Sequence, residues 1–106
     1  MTERMQISTG ARYRSQVCET ELIVVRQLAG ELDLTCGGHS LIDLKATPTA
    51  GLTLKAGADT WTGLGKRYTD PSGQLELLVT KAGQGSLALG GEPLALKQTK
   101  PLPASD

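Results

Sequence analysis

The feature that most constrains this chain is an internal repeat. Four short blocks of the first half recur in the second half in the same order, and each pair of blocks keeps three identical residues. The blocks lie 55 residues apart, and 53 apart after a two-residue deletion. They begin at Gly10, Glu21, Gly30 and Gly37 in the first half, and at Gly65, Glu76, Gly85 and Gly90 in the second. Such a repeat predicts two copies of one small unit that pack together.

Both copies have the sequence pattern of short strands. Residues 21–26 and 75–81 are rich in Leu, Ile and Val, while 32–34 and 87–89 alternate apolar and other residues. The intervening segments 28–31 and 82–86 each contain a glycine, which suits a hairpin loop. Paired glycines at 37–38 and 90–91 predict tight turns. The sequence therefore predicts an all-β fold with almost no helix.

A single copy has about 32 residues, which is below the size that usually folds without a metal, a disulfide or a partner. We therefore expect the two copies to share one core about a pseudo-twofold axis. The predicted organisation is a cysteine-bearing repeat at 1–45, a linker at 46–64 with a possible extra strand at 52–54, a second repeat at 65–97 and a flexible tail at 98–106.

Charge and hydropathy exclude several classes of function. Eleven basic and eleven acidic side chains cancel, so no basic surface is expected for nucleic acid or for an anionic membrane. No apolar run is long enough to span a bilayer, and the first ten residues lack a signal-peptide core. These features predict a cytoplasmic protein, in which two cysteines are thiols or metal ligands more often than a disulfide.

The first copy carries a recognisable order of residues. Tyr13 is followed by Cys18 in the segment Ser-Gln-Val-Cys, then by a Val-containing strand, Gly30 and Cys36-Gly37-Gly38. This order resembles desulforedoxin and the N-terminal domain of desulfoferrodoxin, over about 32 residues in copy one and about 30 in copy two. The resemblance implies a small β fold in which a single chain mimics the homodimer of that family.

The resemblance also bears on metal binding. The family holds one iron with four thiolates, but only Cys18 and Cys36 match ligands here, and Ser15 and Gly37 stand at the other two places. In the repeat alignment Gly73 lies opposite Cys18, and the deletion removes the equivalents of Thr35 and Cys36, so copy two has no thiol at either place.

The candidate metal ligands are therefore Cys18, Cys36 and His39. Thiolates favour zinc or iron, and His39 follows Cys36 by three residues. Two other interpretations of the cysteines stay open: a disulfide, and thiols that simply pack. His39 follows the glycine pair in the predicted turn, and a solvent-exposed polar turn residue explains it better than a metal ligand does.

The second predicted function is a non-catalytic interaction module or accessory subunit that inherited a metal-binding fold and lost the metal. A protein partner is possible in that case, and Trp61 either fills the seam between the copies or anchors the partner. An enzyme is disfavoured because a chain with one histidine offers no Ser-His-Asp or Cys-His constellation to support.

Overall fold

The computed structural model describes residues 5–97, which form ten short strands and no helix. All pairs of neighbouring strands are antiparallel. The strands are β1 (Arg12–Arg14), β2 (Glu21–Arg26), β3 (Leu34–Cys36), β4 (His39–Ser40), β5 (Ile42–Asp43), β6 (Arg67–Thr69), β7 (Glu76–Lys81), β8 (Leu87–Leu89), β9 (Glu92–Pro93) and β10 (Ala95–Leu96). The all-β class expected from the sequence is confirmed.

The two halves of the chain contribute the same series of strands. Strands β1 to β5 and strands β6 to β10 both have lengths of 3, 6, 3, 2 and 2 residues. The larger sheet has the order β10-β6-β7-β2-β1-β5, and the smaller has the order β4-β3-β8-β9. In both sheets a strand of the first half pairs with its counterpart at the centre, β2 with β7 and β3 with β8.

An aliphatic core lies beneath these central pairs. Leu22 and Val24 of β2 pair with Val79 and Leu77 of β7, and all four side chains are buried. The rest of the cluster comes from the smaller sheet, the loops and β1, and contains Ile7, Tyr13, Leu32, Leu34, Cys36, Leu41, Leu75, Leu87 and Leu94. Because the chain has no phenylalanine, the core depends on close packing of branched side chains from both halves.

The structure corrects the predicted hairpins. Segments 28–31 and 82–86 do not join paired strands, because β2 and β7 belong to the larger sheet whereas β3 and β8 belong to the smaller one. In the larger sheet β2 already lies between β1 and β7, so β3 pairs with β4 and β8 in the smaller sheet. Residue 32 forms an isolated bridge with Met5, and the predicted strand at 32–34 begins only at Leu34.

The structure also corrects the position of the two-residue deletion, which the repeat alignment placed opposite Thr35 and Cys36. Seven residues, 27–33, connect β2 to β3, whereas five residues, 82–86, connect β7 to β8. Cys36 and Leu89 each end a strand immediately before a glycine pair. The counterpart of Cys36 is therefore Leu89 and not a gap, and the shortening lies in the loop.

The glycine pairs form the tight turns that the sequence predicts. Gly37 and Gly38 have φ values of 68° and 87° between β3 and β4, and Gly90 and Gly91 have values of 60° and 85° between β8 and β9. Two successive residues with positive φ are the requirement of a type I′ hairpin turn.

The linker does not form the extra strand proposed at 52–54. Within the described residues, segment 46–63 contains no strand, and its only bridge joins Thr62 to Gly83. Lys55 N–H donates to the carbonyl of Gly37, which attaches the linker to the β3–β4 turn instead. The predicted tail at 98–106 lies outside the described residues. None of the described segments is a helix long and apolar enough to cross a membrane.

Candidate functional site

The turn between β1 and β2, residues 15–20, positions the first cysteine. Ser15 N–H donates to the carbonyl of Thr20 and closes the turn. The buried Ser15 hydroxyl then accepts the backbone N–H groups of Val17 and Cys18, at 3.1 and 3.2 Å. These bonds satisfy buried amides that would otherwise lack partners, and Cys18 is left half-buried against the core.

The second cysteine ends β3, and its side chain is fully buried at 0% exposure. Its sulfur lies 3.9 Å from the sulfur of Cys18. Both residues are free thiols. The structure thus brings together two of the three predicted ligands, at a distance too long for a disulfide and short enough for a hydrogen bond between sulfurs.

A loop from the other half of the chain covers this pair. Gly85 N–H donates to the sulfur of Cys18 at 3.3 Å, and Thr62 holds the same loop by donating its hydroxyl to the carbonyl of Gly85. A Cβ atom on Gly85 would lie 2.9 Å from the sulfur of Cys36, and one on Gly83 would lie 2.4 Å from the hydroxyl of Thr20. Residues 82–86, the covering loop, reach the sulfurs because these two positions lack side chains.

The two sulfurs differ in acidity. The hydrogen bond with Cys36 lowers the pKa of Cys18 well below that of an ordinary thiol, and bonds with Ser15 and Thr20 add to this effect against the opposing effect of burial. The hydrogen bond with Cys18, together with burial, raises the pKa of Cys36. The first proton therefore leaves Cys18, the more exposed sulfur, and the remaining proton stays on Cys36.

His39 lies beside the pair but is engaged elsewhere. It is the cross-strand neighbour of Cys36 in the β3–β4 hairpin, and its Nε2 lies 2.9 Å from the carbonyl oxygen of Thr53. Among residues 5–97, no three side chains of the His, Cys, Asp and Glu types are grouped so that they could hold a metal ion. The structure therefore places the sulfurs of Cys18 and Cys36 close together, whereas the imidazole of His39 contacts Thr53 and does not complete a three-ligand group with them.

Three contributors to the site were not identified from the sequence. Thr20 places its hydroxyl 3.3 Å from the sulfur of Cys18, and Gly83 and Gly85 form the covering loop. The sequence pattern indicates Gly85 only as a turn residue. Its real role depends on a contact over 67 residues of chain, which no local pattern reveals.

A separate cavity of about 340 Å³ is lined by residues of the smaller sheet and of the linker. Thr35 and Ala88 are cross-strand partners and line it, together with Asp33 and the linker residues Lys55 and Ala58. Oδ1 of Asp33 is buried without a hydrogen-bond partner in the described part of the chain. Neither Cys18 nor Cys36 belongs to the lining of this cavity within the described residues, so the cavity is distinct from the cysteine pair.

Trp61 does not fill the seam between the halves. Its side chain is 61% exposed, and its backbone has a φ of 75°. A bulky residue rarely adopts this left-handed conformation. Leu64, three residues further on, is also exposed, so the surface between the linker and β6 presents two large apolar side chains.

Comparison of the chain with protein-family models, with curated proteins and with solved structures gives no match.

Proposed function

We propose that this protein binds a single soft metal ion, zinc or iron, through the thiolates of Cys18 and Cys36. The observation that supports this most directly is the 3.9 Å separation of the two sulfurs. Two thiolates bound to one tetrahedral zinc ion at about 2.3 Å would lie about 3.8 Å apart. The pair is thus spaced for a shared ion before any ion binds.

The surroundings of the Cys18 sulfur favour its charged form. Gly85 N–H and the hydroxyl of Thr20 are both within hydrogen-bond distance of the Cys18 sulfur. Binding would release the proton that Cys36 retains, so affinity should rise with pH. A reducing cytoplasm, which the composition predicts, would keep both thiols available.

Two protein ligands leave coordination positions for water or an added ligand. Ser15, which takes the place of a thiolate in the resemblance to desulforedoxin, is a weak candidate because its hydroxyl already accepts two amides. His39 would have to exchange its contact with Thr53 for the metal. The site is therefore proposed as a two-thiolate centre with an open side, on a fold duplicated from a desulforedoxin-like unit.

The test is metal titration of reduced protein purified without an affinity tag. Co²⁺ should bind one ion per chain and produce a thiolate-to-cobalt charge-transfer band. The Cys18→Ser/Cys36→Ser double variant should lose both the band and the stability gained with metal. Equal metal content in the parent and the double variant would refute the proposal.

His39→Gln is the matched control for the third ligand. Glutamine retains an amide that can donate to the carbonyl of Thr53. If His39 is a ligand, this variant should lose about tenfold or more in metal affinity; if it is a turn residue, the affinity should be unchanged.

A second candidate function is an interaction module, and Trp61 favours it. An aromatic residue that is both exposed and held at positive φ contributes little to the core while straining the backbone. Trp61→Gly should then raise stability by about 1 kcal/mol, measured by chemical denaturation. A loss of stability would show that the ring supports the fold and would remove this argument.

A further inference from the structure

We propose that Cys18 and Cys36 also form a peroxide-reactive dithiol, in which Cys18 is the attacking sulfur and Cys36 the resolving sulfur. This activity goes beyond metal binding and does not require the metal. It rests on the different accessibility of the two sulfurs and on their separation.

Accessibility assigns the two roles. Cys18 is partly exposed, whereas Cys36 is fully buried. A small oxidant in solution therefore meets Cys18 first. Gly85 donates its N–H to the Cys18 sulfur, which also lies 3.3 Å from the hydroxyl oxygen of Thr20. A backbone donor to the sulfur stabilises the thiolate, which is the nucleophilic form.

The first step forms a sulfenic acid on Cys18. The thiolate attacks one oxygen of hydrogen peroxide, an S–O bond forms, the O–O bond breaks, and hydroxide leaves. The sulfur is oxidised and the peroxide is reduced. A proton from solvent converts the hydroxide to water.

The second step uses the neighbouring thiol. Cys36 attacks the sulfur of Cys18, an S–S bond forms, the S–O bond breaks, and the departing hydroxide takes the proton of Cys36. The sum is two thiols and one hydrogen peroxide giving one disulfide and two water molecules. The sulfurs must approach from 3.9 Å to about 2.05 Å.

The turn that carries Cys18 is the element that can supply this movement. Cys36 is fixed within β3 between β4 and β8, whereas Cys18 lies in turn 15–20 outside the strands. The disulfide would remove both thiolates, so an oxidised chain should not bind metal until a thiol reductant restores it.

The experiment treats the reduced, metal-free full-length chain with an equimolar amount of hydrogen peroxide and follows the products by mass spectrometry. The parent should lose two hydrogens and give one intramolecular disulfide. Cys36→Ser should stop at a sulfenic acid on Cys18, which dimedone traps. Cys18→Ser should react at least about tenfold more slowly, because only the buried thiol remains.

Cys36→Ala gives the same readout should serine be tolerated poorly at this buried position. The assignment would be overturned if Cys18→Ser reacted as fast as the parent, or if the parent gave only intermolecular disulfides. Metal binding is measured separately on reduced protein, so failure of the redox proposal leaves the metal proposal intact, and the reverse also holds.

Discussion

The two turns that join the first and second strands of each half make the most informative comparison in the molecule. Residues 15–20 and 70–75 have equal length and the same place in the strand series. Each begins with a buried polar residue whose side chain accepts a backbone N–H within the turn: Ser15 from Val17 and Cys18, and Asp70 from Leu75. In both turns, therefore, a buried side-chain oxygen at the first position provides a hydrogen-bond acceptor for backbone N–H groups of the turn.

The turns differ in what they present to the core. The first presents Cys18 and Thr20, whereas the second has Gly73 and the fully buried Leu75 at those places. Leu89 likewise occupies the place of Cys36. A turn of the same length and the same place in the strand series thus folds without a cysteine, so the turn itself does not require one.

The largest effect is expected at Leu75, the apolar residue that the second turn presents to the core. Leu75→Ala should reduce the free energy of unfolding by about 2–5 kcal/mol, because its side chain has 0% exposure and its removal leaves a cavity. Both halves should unfold in one transition, since they share the core. Chemical denaturation followed by far-UV circular dichroism and by near-UV signals measures this, and two separate transitions would contradict the shared core.

The second-largest effect on stability is expected from overpacking the covering loop. Gly85→Ala would place a Cβ atom 2.8 Å from the amide nitrogen of Gly37 and 2.9 Å from the sulfur of Cys36. The loop must then move away, at a cost of about 1–3 kcal/mol, and Cys18 should become more reactive toward iodoacetamide. Gly73→Ala is the control in the other half: nothing lies near its Cβ position, so only its positive φ should matter and thiol reactivity should not change.

A third effect concerns the carboxylate of Glu76, which is only 4% exposed. It accepts from Lys97 Nζ at 2.8 Å and from Arg67 Nη1 at 3.1 Å. The bond to Lys97, with the charges of both partners, lowers the pKa of Glu76 against the effect of burial. Its stabilisation is therefore present above the ordinary glutamate pKa of about 4.3 and is lost as pH falls through the lowered value in the folded state.

Glu76→Gln should accordingly destabilise the protein by about 1–2 kcal/mol at neutral pH, since both cations are half exposed and screened. The difference from the parent should shrink below about pH 4. Glu21→Gln, the counterpart in β2, is the control. A difference that stays constant from pH 7 to pH 3 would contradict the ion-pair assignment.

The smallest effect on stability, and the most specific one, should come from Thr20→Val. Removal of the hydroxyl takes away one bond to the Cys18 sulfur and should raise the pKa of Cys18, because the bonds with Thr20 lower that pKa in the parent. Thiolate absorbance as a function of pH measures this shift. An unchanged titration would show that Thr20 serves packing alone.

Local features of the fold were predictable, whereas its long-range pairings were not. Strand β2 at Glu21–Arg26 and strand β8 at Leu87–Leu89 match their predicted bounds, because runs of Leu, Ile and Val between polar residues are a local signal. The partners of these strands depend on the whole chain, which is why the hairpins were wrong.

The candidate site was likewise predictable only in part. The pairing of Cys18 with Cys36 followed from the resemblance to desulforedoxin, and the structure places the two sulfurs together. The contribution of Gly85 could not be predicted, because the sequence does not distinguish a glycine that allows close approach to a sulfur from any other glycine in a turn.

The covering loop has a consequence for assembly. The cysteine pair lies in the first half of the chain and the loop that covers it lies in the second half, and the linker 46–64 joins the two halves. Two chains that exchanged their second halves would rebuild every central strand pair and both covered sites in an intertwined dimer. A shortened linker should drive this exchange, because the two halves of one chain could then no longer reach each other.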